Sequence, residues 1–151
     1  MRTPRRARSV EVDAEGDEEE IDYLVRGVLG QTPNGGLAVG DEMGTVTMID
    51  TMSRGPRNER HFSCHHNAIF DLGWVPGQPQ LLTASGDQSI RLFDVDRSGA
   101  FGEVRCFRGH RASVKTLSTL DTYTFASGGR DGNVCLWDDR APEPRDLPQQ
   151  V

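Results

Sequence analysis

The sequence predicts an all-β protein assembled from repeated four-stranded antiparallel sheets, and three observations predict it. Short apolar runs end in aspartate at a fixed interval: Asp50 closes TVTMID, Asp94 closes SIRLFD and Asp138 closes NVCLWD, each 44 residues after the one before. A second acid keeps its distance, with Asp87 seven residues before Asp94 and Asp131 seven before Asp138. A histidine also keeps its distance, with His65 standing 22 residues ahead of Asp87 and His110, in Gly109-His110, 21 ahead of Asp131. A period of about 40 to 45 residues that carries a Gly-Asp or Asp-Gly turn, a short strand and a Trp-Asp end is the pattern of a propeller blade. Asp131-Gly132 is the clearest of these turns, because glycine closes a tight hairpin at positive φ without steric cost.

In chain order, residues 1–20 form a charged tail. Arg2, Arg5, Arg6 and Arg8 are followed by Glu11, Asp13, Glu15, Asp17, Glu18, Glu19, Glu20 and Asp22, a composition that buries nothing and predicts disorder. Residues 21–64 read as a degenerate first blade. Tyr23 to Leu29 is a strand, the run Thr32-Pro33-Asn34-Gly35-Gly36 is a turn, and Leu37 to Val39 and Thr45 to Ile49 are two further strands ahead of a polar stretch from Ser53 to Arg60. Met43 stands where the later repeats have aspartate.

Residues 65–109 supply all four strands of a second blade: Ala68 to Trp74, Gln80 to Thr83, Ser89 to Phe93 and Glu103 to Phe107. Their apolar runs lack clean alternation, which suits a sheet covered on both faces. Residues 110–140 give a third blade with strands at Ser113 to Leu117, Tyr123 to Ser127 and Asn133 to Trp137. Residues 141–151 are Pro-rich and polar, and proline lacks the N–H a ladder needs, so this blade is expected to lack its outer strand.

The charge of −6 lies mainly in the tail and leaves the repeats near neutral, which argues against a nucleic-acid-binding surface across them. No apolar run approaches the ~18 residues of a membrane span, and the N-terminus is too polar for a secretory signal. Cys64, Cys106 and Cys135 form no CxxC and no paired framework, which fits a reduced compartment. The basic run Pro4 to Arg8 is compatible with nuclear import, so a nuclear and also cytoplasmic location is expected.

Three segments, HHNAIFDLGWVPG (65 to 77), LLTASGDQSIRLFDV (81 to 95) and SGGRDGNVCLWDDR (127 to 140), carry a resemblance. The chain resembles WD-repeat proteins and, within that class, is most similar to the denticleless family, the substrate receptors of cullin-4 RING ubiquitin ligases. The resemblance implies a WD40-type β-propeller fragment from a ring of about seven blades. Three blades leave an open sheet edge that invites pairing with another chain, so a truncated product of a longer gene is expected.

The resemblance also assigns residues. His110, Ser127, Asp131 and Trp137 fall where WD repeats place a buried hydrogen-bonding tetrad, and His65, Thr83 and Asp87 repeat it in the second blade, where Phe93 replaces the tryptophan. Phenylalanine has no donor, so that blade is expected to be less tightly held. A Ser, His and Asp together also suggest a hydrolase, but no Gly-x-Ser-x-Gly elbow accompanies them and no catalytic residue is assigned. His61, Cys64, His65 and His66 match no common zinc spacing, and no metal or cofactor is assigned.

Trp137-Asp138-Asp139-Arg140 is similar to the Trp-Asp-x-Arg box through which WD-repeat receptors bind the damaged-DNA-binding adaptor of cullin-4 ligases. Trp137, Asp138 and Arg140 are its assigned adaptor-binding residues. The resemblance implies a non-catalytic subunit that presents replication-licensing and cell-cycle proteins, bound to the sliding clamp, for ubiquitination. The alternative is a general WD-repeat scaffold for a nuclear or signalling complex. Two features depart from the receptor pattern: Phe93-Asp94-Val95-Asp96-Arg97 forms no second box, and residues 1–22 show no amphipathic helical period.

Overall fold

In the computed structural model of the chain, the structure describes residues 36–52, 59–95 and 101–142, together with the backbone of strand residues 9–12, 18–21, 26–28 and 149–150. Among the described residues, fourteen strands run in chain order: β1 (Ser9–Val12), β2 (Glu18–Ile21), β3 (Arg26–Val28), β4 (Gly36–Gly40), β5 (Thr45–Asp50), β6 (Glu59–Ser63), β7 (Ile69–Trp74), β8 (Gln80–Ser85), β9 (Ser89–Val95), β10 (Phe101–Arg108), β11 (Val114–Thr119), β12 (Thr124–Gly129), β13 (Val134–Asp138) and β14 (Gln149–Gln150). They form three four-stranded sheets, β3 to β6, β7 to β10 and β11 to β14, each pairing strands in sequence order, and one hairpin of β1 with β2. All pairings are antiparallel. The all-β blade architecture that the 44-residue period predicts is therefore what the chain adopts.

Three expectations are corrected. The charge blocks predict disorder over residues 1–20, yet β1 and β2 pair from Ser9↔Ile21 to Val12↔Glu18; Val10 and Val12 alternate with Ser9 and Glu11, a period-2 signal that the charge blocks conceal. The rest of that tail lies outside the described residues, as do Tyr23 to Val25 and Leu29 of the expected first strand. The polar stretch after Ile49 ends in a strand, since β6 pairs Glu59 to Ser63 with β5. An outer strand with one edge to solvent tolerates charge that an inner strand does not. The third blade gains an outer strand as well: Leu136 pairs with Gln149 and Cys135 with Gln150. The prolines at 142, 144 and 148 precede this two-residue strand, and the glutamines keep the N–H groups that a ladder uses.

The second sheet is buried on both faces, and period 2 divides its side chains between two neighbours. Leu81 and Phe93 join Ala38, Val46, Cys64, Ile69 and Leu72 in a cluster against the first sheet. Leu82, Ala84, Ile90, Leu92 and Phe107 turn the other way and meet Val114, Phe125, Cys135 and Trp137 of the third. The third sheet repeats the Ile90 and Leu92 positions at Val134 and Leu136, which are 53% and 37% exposed where Ile90 and Leu92 are 0% and 2%. Polar links cross between sheets as well: Asp71 Oδ2 on β7 accepts the Leu117 N–H of β11 at 2.8 Å, beside a register shift between Val114 and Thr116.

Candidate functional site

The repeated spacing of histidine and aspartate becomes a contact network in the third blade. His110 Nδ1 lies 3.0 Å from Asp131 Oδ2, and its Nε2 lies 2.7 Å from Ser127 Oγ. The Trp137 indole N–H donates to the same hydroxyl at 2.8 Å. The loop before β11, strand β12, the β12–β13 turn and strand β13 are thereby joined around one buried oxygen. Asp131 also accepts the Arg111 and Asn133 backbone N–H groups at 2.8 and 3.1 Å. Burial opposes its charge, but these N–H donors and the imidazole outweigh it and hold the carboxyl well below the usual carboxylate range. Gly129 makes room for the ring, since a Cβ there would stand 2.5 Å from His110 Nδ1.

Ser127 is 2% exposed and its hydroxyl is bonded on two sides. The Ser, His and Asp that resemble a hydrolase set therefore have no access to a substrate carbonyl; they hold strands together.

The second blade builds the same links with different chemistry. His65 Nδ1 is 2.8 Å from Asp87 Oδ2, and Nε2 is 2.6 Å from Thr83 Oγ1. Phe93 gives Thr83 no donor. Its ring stacks instead on Phe101 at 4.5 Å, which in turn stacks on Phe62 at 4.4 Å. Ser89, which is not one of the tetrad positions, donates its hydroxyl to Asp87 Oδ1 at 2.5 Å and its backbone N–H to the same oxygen at 3.0 Å. The missing indole link is thus accompanied by a new one on the carboxylate. Burial raises the Asp87 carboxyl, but the Ser89 and His65 bonds prevail and bring it down to about 2. Burial pushes His65 below its ordinary value against the pull of Asp87.

The Trp-Asp-x-Arg box divides into a buried and an exposed part. Trp137 is 3% exposed and points into the core, edge-on to Phe107 at 5.6 Å. Its side chain occupies the tetrad position assigned to it, and there it anchors the strand end that carries Asp138 and Arg140. Asp138 and Arg140 lie at the surface. Arg140 Nε donates to Asp138 Oδ1 at 2.8 Å and Nη2 to Oδ2 at 2.7 Å, while the Arg140 backbone N–H donates to Oδ1 at 3.0 Å. The fork holds the Asp138 carboxyl down at about 2.

Tyr123 completes the arrangement, with the Arg140 guanidinium 5.0 Å from its ring centroid. Asp121 fixes that tyrosine by accepting the Tyr123 and Thr124 N–H groups at 2.7 and 2.8 Å. The guanidinium side chain is 62% exposed, so the arrangement orients a cation at the rim of the sheet and leaves it accessible. Beside this rim, between the second and third blades, lies a cavity with room for about one water, lined by Val75, Leu82, Leu92, Tyr123, Phe125 and Asp139.

The description "WD domain, G-beta repeat" matches residues 57–94 and 101–138. Denticleless protein homolog A of Xenopus laevis is 41% identical over 119 residues, covering 76% of this chain and 16% of that protein. Protein lethal(2)denticleless of Drosophila melanogaster is 41% identical over 121 residues with the same two coverages. Among solved structures, the crystal structure of RRP9 WD40 repeats superposes with a TM-score of 0.61 at 27% identity, covering 70% of this chain and 31% of that one. The chain thus spans about 16% of the length of the curated relatives it matches.

Proposed function

Because this chain belongs to the WD40-repeat family and is a denticleless-like member of it, we propose that it serves as substrate-receptor material of a cullin-4 RING ubiquitin ligase, acting in the nucleus. Its third blade meets the damaged-DNA-binding adaptor, and the remaining propeller surface of the full receptor presents clamp-bound replication and cell-cycle proteins. It performs no chemistry itself. Its contribution is proximity, which raises the effective concentration of substrate lysines near the charged conjugating enzyme.

The observation that carries this reading is the held, exposed guanidinium of Arg140 at the end of β13. An exposed ion pair adds little to stability. A bidentate Asp138 fork and a stacked Tyr123 around a surface arginine are therefore better explained by recognition than by folding. Arginine suits the task, since its planar set of five donors stays charged and satisfies carbonyl or carboxylate acceptors on a partner.

The test is binding of the purified adaptor to the chain and to Arg140→Ala, with melting followed in parallel. Loss of binding at an unchanged melting temperature supports the receptor role. Normal binding by Arg140→Ala removes the box from the interface and leaves the general scaffold as the reading.

A further inference from the structure

We infer that Arg105, on the outer strand of the second blade, is a positioning residue for Arg140 of the third: it fixes the turn on which Arg140 is presented to a partner. The inference deepens the adaptor-binding reading and rests on it.

Strand β10 departs from regular pairing immediately before this residue. Glu103 pairs with Phe93 and Arg105 with Leu92, so Val104 is the extra residue of a bulge and stands 50% exposed. A bulge bends its strand and re-aims the side chain that follows. Here the re-aimed side chain is a guanidinium that leaves its own sheet and is only 10% exposed.

It reaches the segment after β13. Arg105 Nη1 donates to the Asp139 carbonyl oxygen and lies 3.3 Å from Asp139 Oδ1, and Nη2 donates to the Ala141 carbonyl oxygen at 2.6 Å. These two carbonyls flank Arg140. Within the turn, the Ala141 N–H donates to the Asp138 carbonyl at 3.1 Å, so both ends of the segment are tied while the residue between them faces solvent. The Arg105 guanidinium also lies 4.8 Å from the Phe107 ring centroid, and Phe107 packs edge-on against Trp137. One side chain of the second blade therefore grips the turn and the strand end that carry the box.

The energetics favour this division of labour. The Asp138–Arg140 pair is exposed and screened, and contributes little to holding the turn. The Arg105 fork is buried and charge-assisted, and each such bond is stronger and more directional. Lysine offers one compact ammonium in place of two parallel N–H groups, so it keeps the charge without spanning both carbonyls.

Arg105→Ala, Arg105→Lys and Arg140→Ala test the proposal through two measurements on the whole chain: amide exchange at Arg140 and Ala141 against core amides such as Leu92 and Phe125, and affinity for the purified cullin-4 adaptor. We expect both Arg105 variants to exchange faster at the turn with core amides unchanged, and to bind adaptor about tenfold or more weakly, as loss of charged hydrogen bonds implies. Unchanged exchange and affinity overturn the proposal. Where Arg105→Ala melts the whole chain, Arg105→Lys is the readout, and a normal turn with normal affinity in that variant overturns it equally. If Arg105→Ala loosens the turn while Arg140→Ala binds adaptor normally, the adaptor reading falls and the hold of Arg105 on the turn stands.

Discussion

The indole N–H of Trp137 donates to Ser127 Oγ at 2.8 Å, and 44 residues earlier Phe93 offers Thr83 no such donor. The two sheets solve one problem differently, by a fourth polar link in the third and by ring stacking plus the Ser89 hydroxyl in the second. Trp137→Phe removes the donor while keeping an aromatic ring, and is expected to cost about 1 kcal/mol. His110→Ala removes one bond from Asp131 and one from Ser127 together and leaves a cavity beside them, and is expected to cost more, on the order of 2 to 4 kcal/mol. Thermal or urea unfolding ranks the pair; a melting curve for His110→Ala that overlays the parent contradicts the network's role.

Acid should weaken the fold in two stages. His65 is held below its ordinary value by burial, so as pH falls below ~6.5 the unfolded chain takes up that proton before the folded one, and stability declines. The Asp87 carboxyl is depressed to about 2 in the fold, and Asp131 is depressed as well. Depressed carboxylates contribute fully above ~3.9, and the contribution is lost as pH falls from there toward the folded values. Both stages have the same sign. Urea midpoints at neutral pH, near pH 5 and near pH 3 should fall in that order, and Asp87→Asn should flatten the lower limb. Equal midpoints across the range would show that neither group is linked to folding.

The features legible in the sequence are those that repeat. The inner strands of the second and third blades recur at 44-residue spacing, and the contacts of His65 with Asp87 and of His110 with Asp131 recur with them, across separations of 22 and 21 residues. Ser89 and Arg105 carry no repeated signature. Arg105 depends on a bulge at Val104, and a register shift leaves no mark in composition. The strands β6 and β14 sit at sheet edges, where one ladder and one wet side place few demands on residue type. The inward orientation of Trp137 is legible from its tetrad position, whereas its edge-on packing against Phe107 is not, because no spacing names that neighbour.

Asp71 joins the inner strands of the second and third sheets, with Oδ2 accepting the Leu117 N–H across the boundary and Oδ1 accepting the Leu72 N–H at 3.0 Å. Asp71→Ala leaves both donors without the carboxylate and is expected to cost about 1 to 3 kcal/mol. Asp71→Asn keeps an acceptor oxygen and should cost less. Amide exchange locates the effect: Leu117 should lose protection in Asp71→Ala more than Phe125 does, and an equal loss at both would assign Asp71 to overall stability instead of to the junction.

The three thiols report separately on the fold. Cys64 and Cys135 are 3% and 1% exposed. Burial pushes the Cys64 thiol up to about 12 and raises Cys135 as well, and the thiolate is the reactive form, so both are masked twice, by access and by ionisation. Cys106, on the outer strand β10, is partly exposed. With a disulfide reagent at mildly alkaline pH, the native chain should release colour from one thiol quickly and from the other two only at the rate at which the sheets open. Cys106→Ser should abolish the fast phase and leave the slow one intact. Rapid reaction of all three in the absence of denaturant would mean that the clusters around Cys64 and Cys135 open as fast as the reagent arrives, which a core packed on both faces of the second sheet does not permit.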